Sequence, residues 1–181
     1  MKFGSGHSDS PDVFGDEALL PFELLPYHEA GHAVVAWCLG LAIREVSIKP
    51  NKKSLGRCYH SRRTKDCPDK RLLVALAGEG AADRIVPGRG QMGCKHDRIV
   101  ACRCALMTTQ RNKLAARQLI QKERDHVRTI LAANWAAILD VASALNTQQR
   151  LTGRQATKIV TQPMLLNLSY PDSTQSPLRD S

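Results

Sequence analysis

Aromatic side chains are scarce in this 181-residue sequence, at 4% of the total. A core with so few rings has to be built from Ala, Leu, Ile and Val, which favours packed helices over a β-sandwich. Long hydrophobic runs are missing too. The longest, Ala33 to Ile43, is interrupted by Gly40 and covers about half of the roughly 20 residues a membrane-spanning helix needs, so no membrane segment is expected. None of the six cysteines stands in C-x-x-C spacing and no secretory leader is evident, which argues against a zinc knuckle or a disulfide framework and makes a reducing cytoplasm the expected setting. The sequence also lacks a G-x-x-x-x-G-K-S/T phosphate loop. No helix-turn-helix or RNA-binding signature occurs, and few rings are present to stack bases, so nucleic acid is not an expected partner.

The sequence is rich in basic charge, unevenly spread. The net charge is +9, and residues 44–71 alone carry ten basic and three acidic side chains. Such a strip suits an acidic polypeptide, an anionic surface or simply solvent. The length allows one hydrophobic core. Residues 1–20 and 163–181 mix Gly, Ser, Asp and Pro without periodicity and read as flexible ends around one domain over 21–162.

Within that domain, Pro26 followed by Tyr27 to Leu39, closed by Gly40, predicts a first helix. Val46 and Ile48 alternate with polar residues over Ile43 to Lys49, Pro50-Asn51 offers a turn, and Leu55 to His60 returns, which predicts a short β-ribbon. Arg71 to Val86 is Ala-rich and predicts a buried helix whose glycines permit close packing. A third helix is expected from near Asp97 to about Met107, and the spacing Val127, Ile130, Leu131, Asn134, Trp135, Ile138, Ala142, Leu145 predicts a long amphipathic helix over 113–146, broken once. Thr152-Gly153 should separate a last short helix reaching Val160.

The chemistry sits in His28-Glu29-Ala30-Gly31-His32. Histidines four apart on a helix project from one face, so both imidazoles can reach one zinc ion while Glu29 points at its open position. A chance H-E-x-x-H occurs in on the order of one chain in a hundred at this length, so context matters. A solvated surface helix is the alternative, but Ala30, Gly31 and the run Ala33 to Trp37 make this helix too apolar to lie in water. Catalytic zinc needs a third protein ligand, and no H-E-x-x-H-x-x-G-x-x-H extension supplies one locally.

Tyr27 to Trp37 resembles the signature helix of the peptidase domain of FtsH-type AAA proteases. Glu45-Val46-Ser47-Ile48-Lys49-Pro50 is similar to the strand that follows it in the family, and Leu55-Gly56 to the start of the next. Ala75 to Asp83 resembles the family's Gly-Gly-Arg-Ala-Ala-Glu segment, and Leu151-Thr152-Gly153 a motif before its last helix, so the resemblance covers roughly residues 20–160. Gly93-Cys94-Lys95-His96-Asp97 takes the place of the family's Gly-Ala-Ser-Asn-Asp, which implies Asp97 as the third zinc ligand, with His96 and Cys94 as rivals.

The resemblance implies a mainly helical zinc metallopeptidase domain with a short β-ribbon beside the signature helix. It further implies Zn2+ on His28, His32 and Asp97, Glu29 as general base, and Val46, Ser47 and Ile48 as an edge that pairs with a polypeptide substrate. The family's acidic pair appears here as Asp83-Arg84, the ribbon is unusually basic, and the family's ATPase motif and membrane helices are absent from these residues. The expected activity is therefore ATP-independent cleavage of flexible or unfolded chains, alone or fed by a separate unfoldase or adaptor. The other reading is an inactive relative that engages a protein or nucleic-acid partner through its basic ribbon. No oligomeric state follows from either.

Overall fold

The computed structural model describes residues 22–52, 54–61, 67–90 and 94–168, with side chains to Gln162. The expected flexible segment 1–20, residues 169–181 of the tail expected over 163–181, residues 62–66 of the basic strip, and Gly93 lie outside the described residues. Six helices and one three-stranded sheet make up the described fold, a mainly α architecture as expected.

Helix α1 (Leu25–Cys38) carries Pro26 in its first turn, where the ring costs no intrahelical hydrogen bond. Every residue from Leu25 to Ala36 except Tyr27 is buried, so α1 runs through the interior with neighbours on all sides. It packs chiefly on α2 (Pro68–Ile85), with Gly31 set directly against Ala77 and Ala81 so that the two backbones approach closely. Helix α3 (Lys95–Thr108) covers the far side of α2. Glu79 on α2 meets Arg124 at 3.1 Å and Arg98 at 3.8 Å, linking α2 to both α3 and α4.

Helix α4 (Lys113–Ala133) starts at Asn112, whose side chain accepts the Ala115 N–H at 3.1 Å. The long helix expected over 113–146 with one break is interrupted at Asn134, and α5 (Trp135–Gln148) leaves at 78°. The amide of Asn134 donates to the Ile130 carbonyl at 2.8 Å, competing with helix continuation, and the guanidinium of Arg84 lies 4.3 Å over the Trp135 ring just beyond the break. The bend folds α5 against α1 and closes the core around Val34, Ile138, Val141 and Leu145. No single described helix is long and apolar enough to cross a membrane.

The sheet comprises β1 (Ile43–Ser47), β2 (Arg57–His60) and β3 (Arg150–Thr152), antiparallel in the order β2-β1-β3. Val46 faces Cys58 on one side and Leu151 on the other. Glu45 straddles the sheet: Arg57 donates to one carboxylate oxygen at 3.1 Å and Arg150 to the other at 2.6 Å. Helix α6 (Gly153–Leu168) follows β3 without a loop, its first turn closed by a reciprocal cap in which Gln155 Oε1 accepts from Thr152 N and Thr152 Oγ1 from Gln155 N. It continues past the expected end at Val160, through Pro163 into part of the expected C-terminal tail.

One expectation is corrected here. Val46, Ser47 and Ile48 do not form an open edge for a substrate strand, because β3 occupies the side of β1 away from β2. All three residues are buried, and Ile48 N–H already donates to the Gln149 carbonyl at 2.9 Å. Among the described residues the outer edge of β2 has no pairing strand. β3 escaped the sequence reading because three residues cannot show a period-2 pattern; Thr152-Gly153 there looked like a break.

Candidate metal centre and active site

The apolar lining of α1 carries three polar side chains into the interior: His28, Glu29 and His32 are each less than 10% exposed. Their helix position places both histidines over α2 at Gly78. A Cβ there would stand 2.6 Å from His28 Nε2, so only glycine leaves the imidazoles their space. At Gly56, just before β2, a Cβ would collide with the Glu29 carboxylate, and the chain there closes onto that side chain.

His32 Nδ1–H donates to the carbonyl of Val74 at 2.7 Å, which leaves the lone pair of His32 Nε2 facing the cavity. His28 Nδ1 stands 3.7 Å from Cys94 Sγ, and that thiol donates to the Gly90 carbonyl at 3.0 Å, which presents the sulfur to Nδ1 as an acceptor. Both rings thus turn Nε2 the same way. The rings meet edge to face, 84° apart, and the two Nε2 atoms approach to 3.0 Å. Asp97 Oδ2, at the start of α3, lies 3.1 Å from His28 Nε2 and 3.3 Å from His32 Nε2.

Three acceptor atoms converging in this way are arranged to share a cation, a proton in the metal-free site or a metal ion. Ligands held tetrahedrally at about 2.0–2.1 Å from zinc stand about 3.3 Å from one another, close to the three separations found here. The donor set, two imidazoles and one carboxylate, suits zinc, and the second nitrogen of each ring already has a fixing partner. His28, Cys94 and Asp97 also bring ligand atoms within 4.8 Å of one another. Cys94, however, faces Nδ1 of His28 while Asp97 faces Nε2, and one ring cannot turn both nitrogens to a single ion. The thiol is better described as the support behind His28.

The structure brings His28, His32 and Asp97 to one point with Glu29 alongside. His96, the other rival ligand, is exposed on the cavity wall, and among the described residues it has no hydrogen bond to either histidine. The Val74 carbonyl has no sequence signal, while the sequence marks Cys94 as a rival ligand rather than a support and the glycines of α2 only as packing residues. A carbonyl belongs to every residue, and which one meets His32 depends on how α1 crosses α2.

A cavity of about 730 Å³ opens onto this cluster, walled by β2, the start of α2 and the first turns of α3. Burial, only partly offset by His28 and His32, raises the pKa of Glu29, and its Oε2 has no hydrogen-bond partner. A buried, unpartnered carboxylate oxygen costs stability and commonly marks a working group. Burial opposes charge on both members of the Asp97–His32 pair as well. Their mutual attraction wins, holding the Asp97 carboxyl well below the usual carboxylate range and pushing His32 up to about 9.

The signs of these shifts define a pH window for the metal-free protein. His32 is raised, so its stabilising contribution is complete below about 6.5 and fades as pH rises toward 9. Asp97 is lowered, so its contribution holds above about 3.8 and fades as pH falls. At pH 7 the metal-free site therefore keeps a proton that zinc must displace. Zinc uptake should release close to one proton per chain at pH 7 and progressively fewer toward pH 9. Calorimetry in buffers of different ionisation enthalpy measures this; no release at pH 7 would mean that His32 sits neutral.

Among known proteins, the chain is similar to the ATP-dependent zinc metalloprotease FtsH 1 of Salinibacter ruber (strain M8), 35% identical over 82 residues. The match covers 41% of this chain but only 12% of that protein, so the chain spans a small fraction of its relative's length. No protein-family model matches the chain.

Proposed function

We propose that this chain is a zinc-dependent endopeptidase acting on flexible or unfolded polypeptides. The observation that carries this reading is the convergence of His28 Nε2, His32 Nε2 and Asp97 Oδ2 within 3.0–3.3 Å of one another, beside the buried Glu29 with an unpartnered oxygen. His28, His32 and Asp97 would hold the metal, which would polarise a carbonyl and supply a water of lowered pKa. Glu29 would serve as the general base toward the attacking water and return its proton to the leaving amine; its raised pKa brings it nearer the working pH. The Val74 carbonyl and Cys94 keep both imidazoles in the ligand orientation.

Substrate alignment falls to the outer edge of β2, whose residues line the cavity. A peptide can pair there only as an extended strand with free backbone groups, so compact folded chains are poor substrates. The test is casein hydrolysis by zinc-loaded protein, abolished by a chelator and restored by added zinc. One zinc per chain without chelator-sensitive cleavage would sink the peptidase reading and turn attention to the basic ribbon as a binding surface.

A further inference from the structure

The cavity has one charged wall that the proposed chemistry leaves unused. Arg71 lies on α2 one turn before Val74, whose carbonyl holds His32, and so stands at the His32 end of the cavity. His60, at the end of β2, is its neighbour there; burial, with the charges of His32 and Arg71, lowers the His60 pKa and keeps that ring neutral at pH 7. The cavity's other guanidinium is committed: Arg57 pairs with Glu45 at 3.1 Å and donates to the Lys49 carbonyl at 2.8 Å.

Arg71 is in a different condition. Among the described residues it forms no ion pair, and Asp69, two residues earlier, accepts the Thr108 hydroxyl at 2.8 Å instead. The carboxylates lining the cavity, Glu29 and Asp97, lie with the two histidines. Val74, Ala75 and Val100 line the same cavity, so a side chain entering it meets apolar surface as well as the cation.

Resting on the peptidase reading, we infer that the His32 end of the cavity receives a substrate carboxylate, the side chain of a Glu or Asp flanking the scissile bond, with Arg71 as its partner. A glutamate fits the wall: its methylenes suit the two valines and the alanine, and its carboxylate matches the planar guanidinium fork. The sequence over residues 44–71, with ten basic and three acidic side chains, also favours acidic chains as partners. The preferred substrates are thus acidic stretches of unfolded polypeptide.

The experiment compares fluorescent peptides, identical except for Glu, Gln or Lys beside the intended scissile bond, binding to zinc-loaded full-length Glu29→Gln protein by anisotropy. Each is made with a free and an amidated C-terminus. The Glu peptide should bind about fivefold more tightly than the Gln peptide, a modest ratio because Arg71 is partly solvated. Arg71→Gln should erase that ratio and Arg71→Glu should reverse it in favour of Lys. A preference that follows the free C-terminus would replace the side chain with the terminal carboxylate. Equal binding of Glu and Gln peptides, or none by the Glu peptide, overturns the inference even if the parent cleaves casein. A Glu preference abolished by Arg71→Gln in a protein that cleaves nothing overturns the peptidase reading alone.

Discussion

Glu29→Gln should leave zinc in place and lower casein hydrolysis by about two to four orders of magnitude, the range general acid–base catalysis contributes. The substitution keeps the shape of a side chain that Gly56 is built to clear and removes the proton acceptor. Neither zinc-facing histidine nitrogen depends on Glu29, since Val74 and Cys94 hold the opposite side of each ring. Zinc content measured beside the rate therefore separates chemistry from folding. Burial raises the Glu29 pKa, meaning that the folded protein bears a cost for the charged form at neutral pH. The metal-free variant should accordingly melt no lower than the metal-free parent. A variant that still cleaves at the parental rate would remove Glu29 from the mechanism.

The second large effect is expected at Asp97. Asp97→Ala removes one of three converging ligand atoms and should weaken zinc binding by more than about 100-fold, beyond the 10–100-fold that loss of a supporting group costs. His96→Ala, one residue away but exposed on the cavity wall, should change zinc affinity little. Competition with a chromophoric chelator measures both. The opposite ranking would move the third ligand to His96. Asp97→Ala should also alter the acid behaviour of the metal-free protein. Burial opposes charge on His32, so without the Asp97 carboxylate its pKa should fall and the stability it contributed below about 6.5 should be lost.

Much of this site was legible in the chain because its parts are close in sequence. The spacing His28, Glu29, His32 needs only a helix to put two imidazoles on one face, and the apolar residues around it already said that the helix is buried. The residue types around Asp97 singled it out through resemblance, and the fold places its Oδ2 against both histidines. The helices were legible for the same local reason, though their ends moved by a few residues where Asn134 and Pro68 set the terminus.

The sheet shows where local reading stops. Alternation at Val46 and Ile48, with the return over Leu55 to His60, revealed a strand and one neighbour but not the second, and β3, arriving from more than 100 residues away, takes the edge that seemed open. Strand order is settled by long-range hydrogen bonding, which no short window of sequence records. By itself, then, the sequence determined the helical core, the paired histidines and the buried glutamate, all products of 3.6-residue periodicity. Only the tertiary structure decided which edge is free, that Cys94 stands behind His28, and that Arg71 and His60 line one cavity. Those relations depend on how α1, α2 and β2 cross in space.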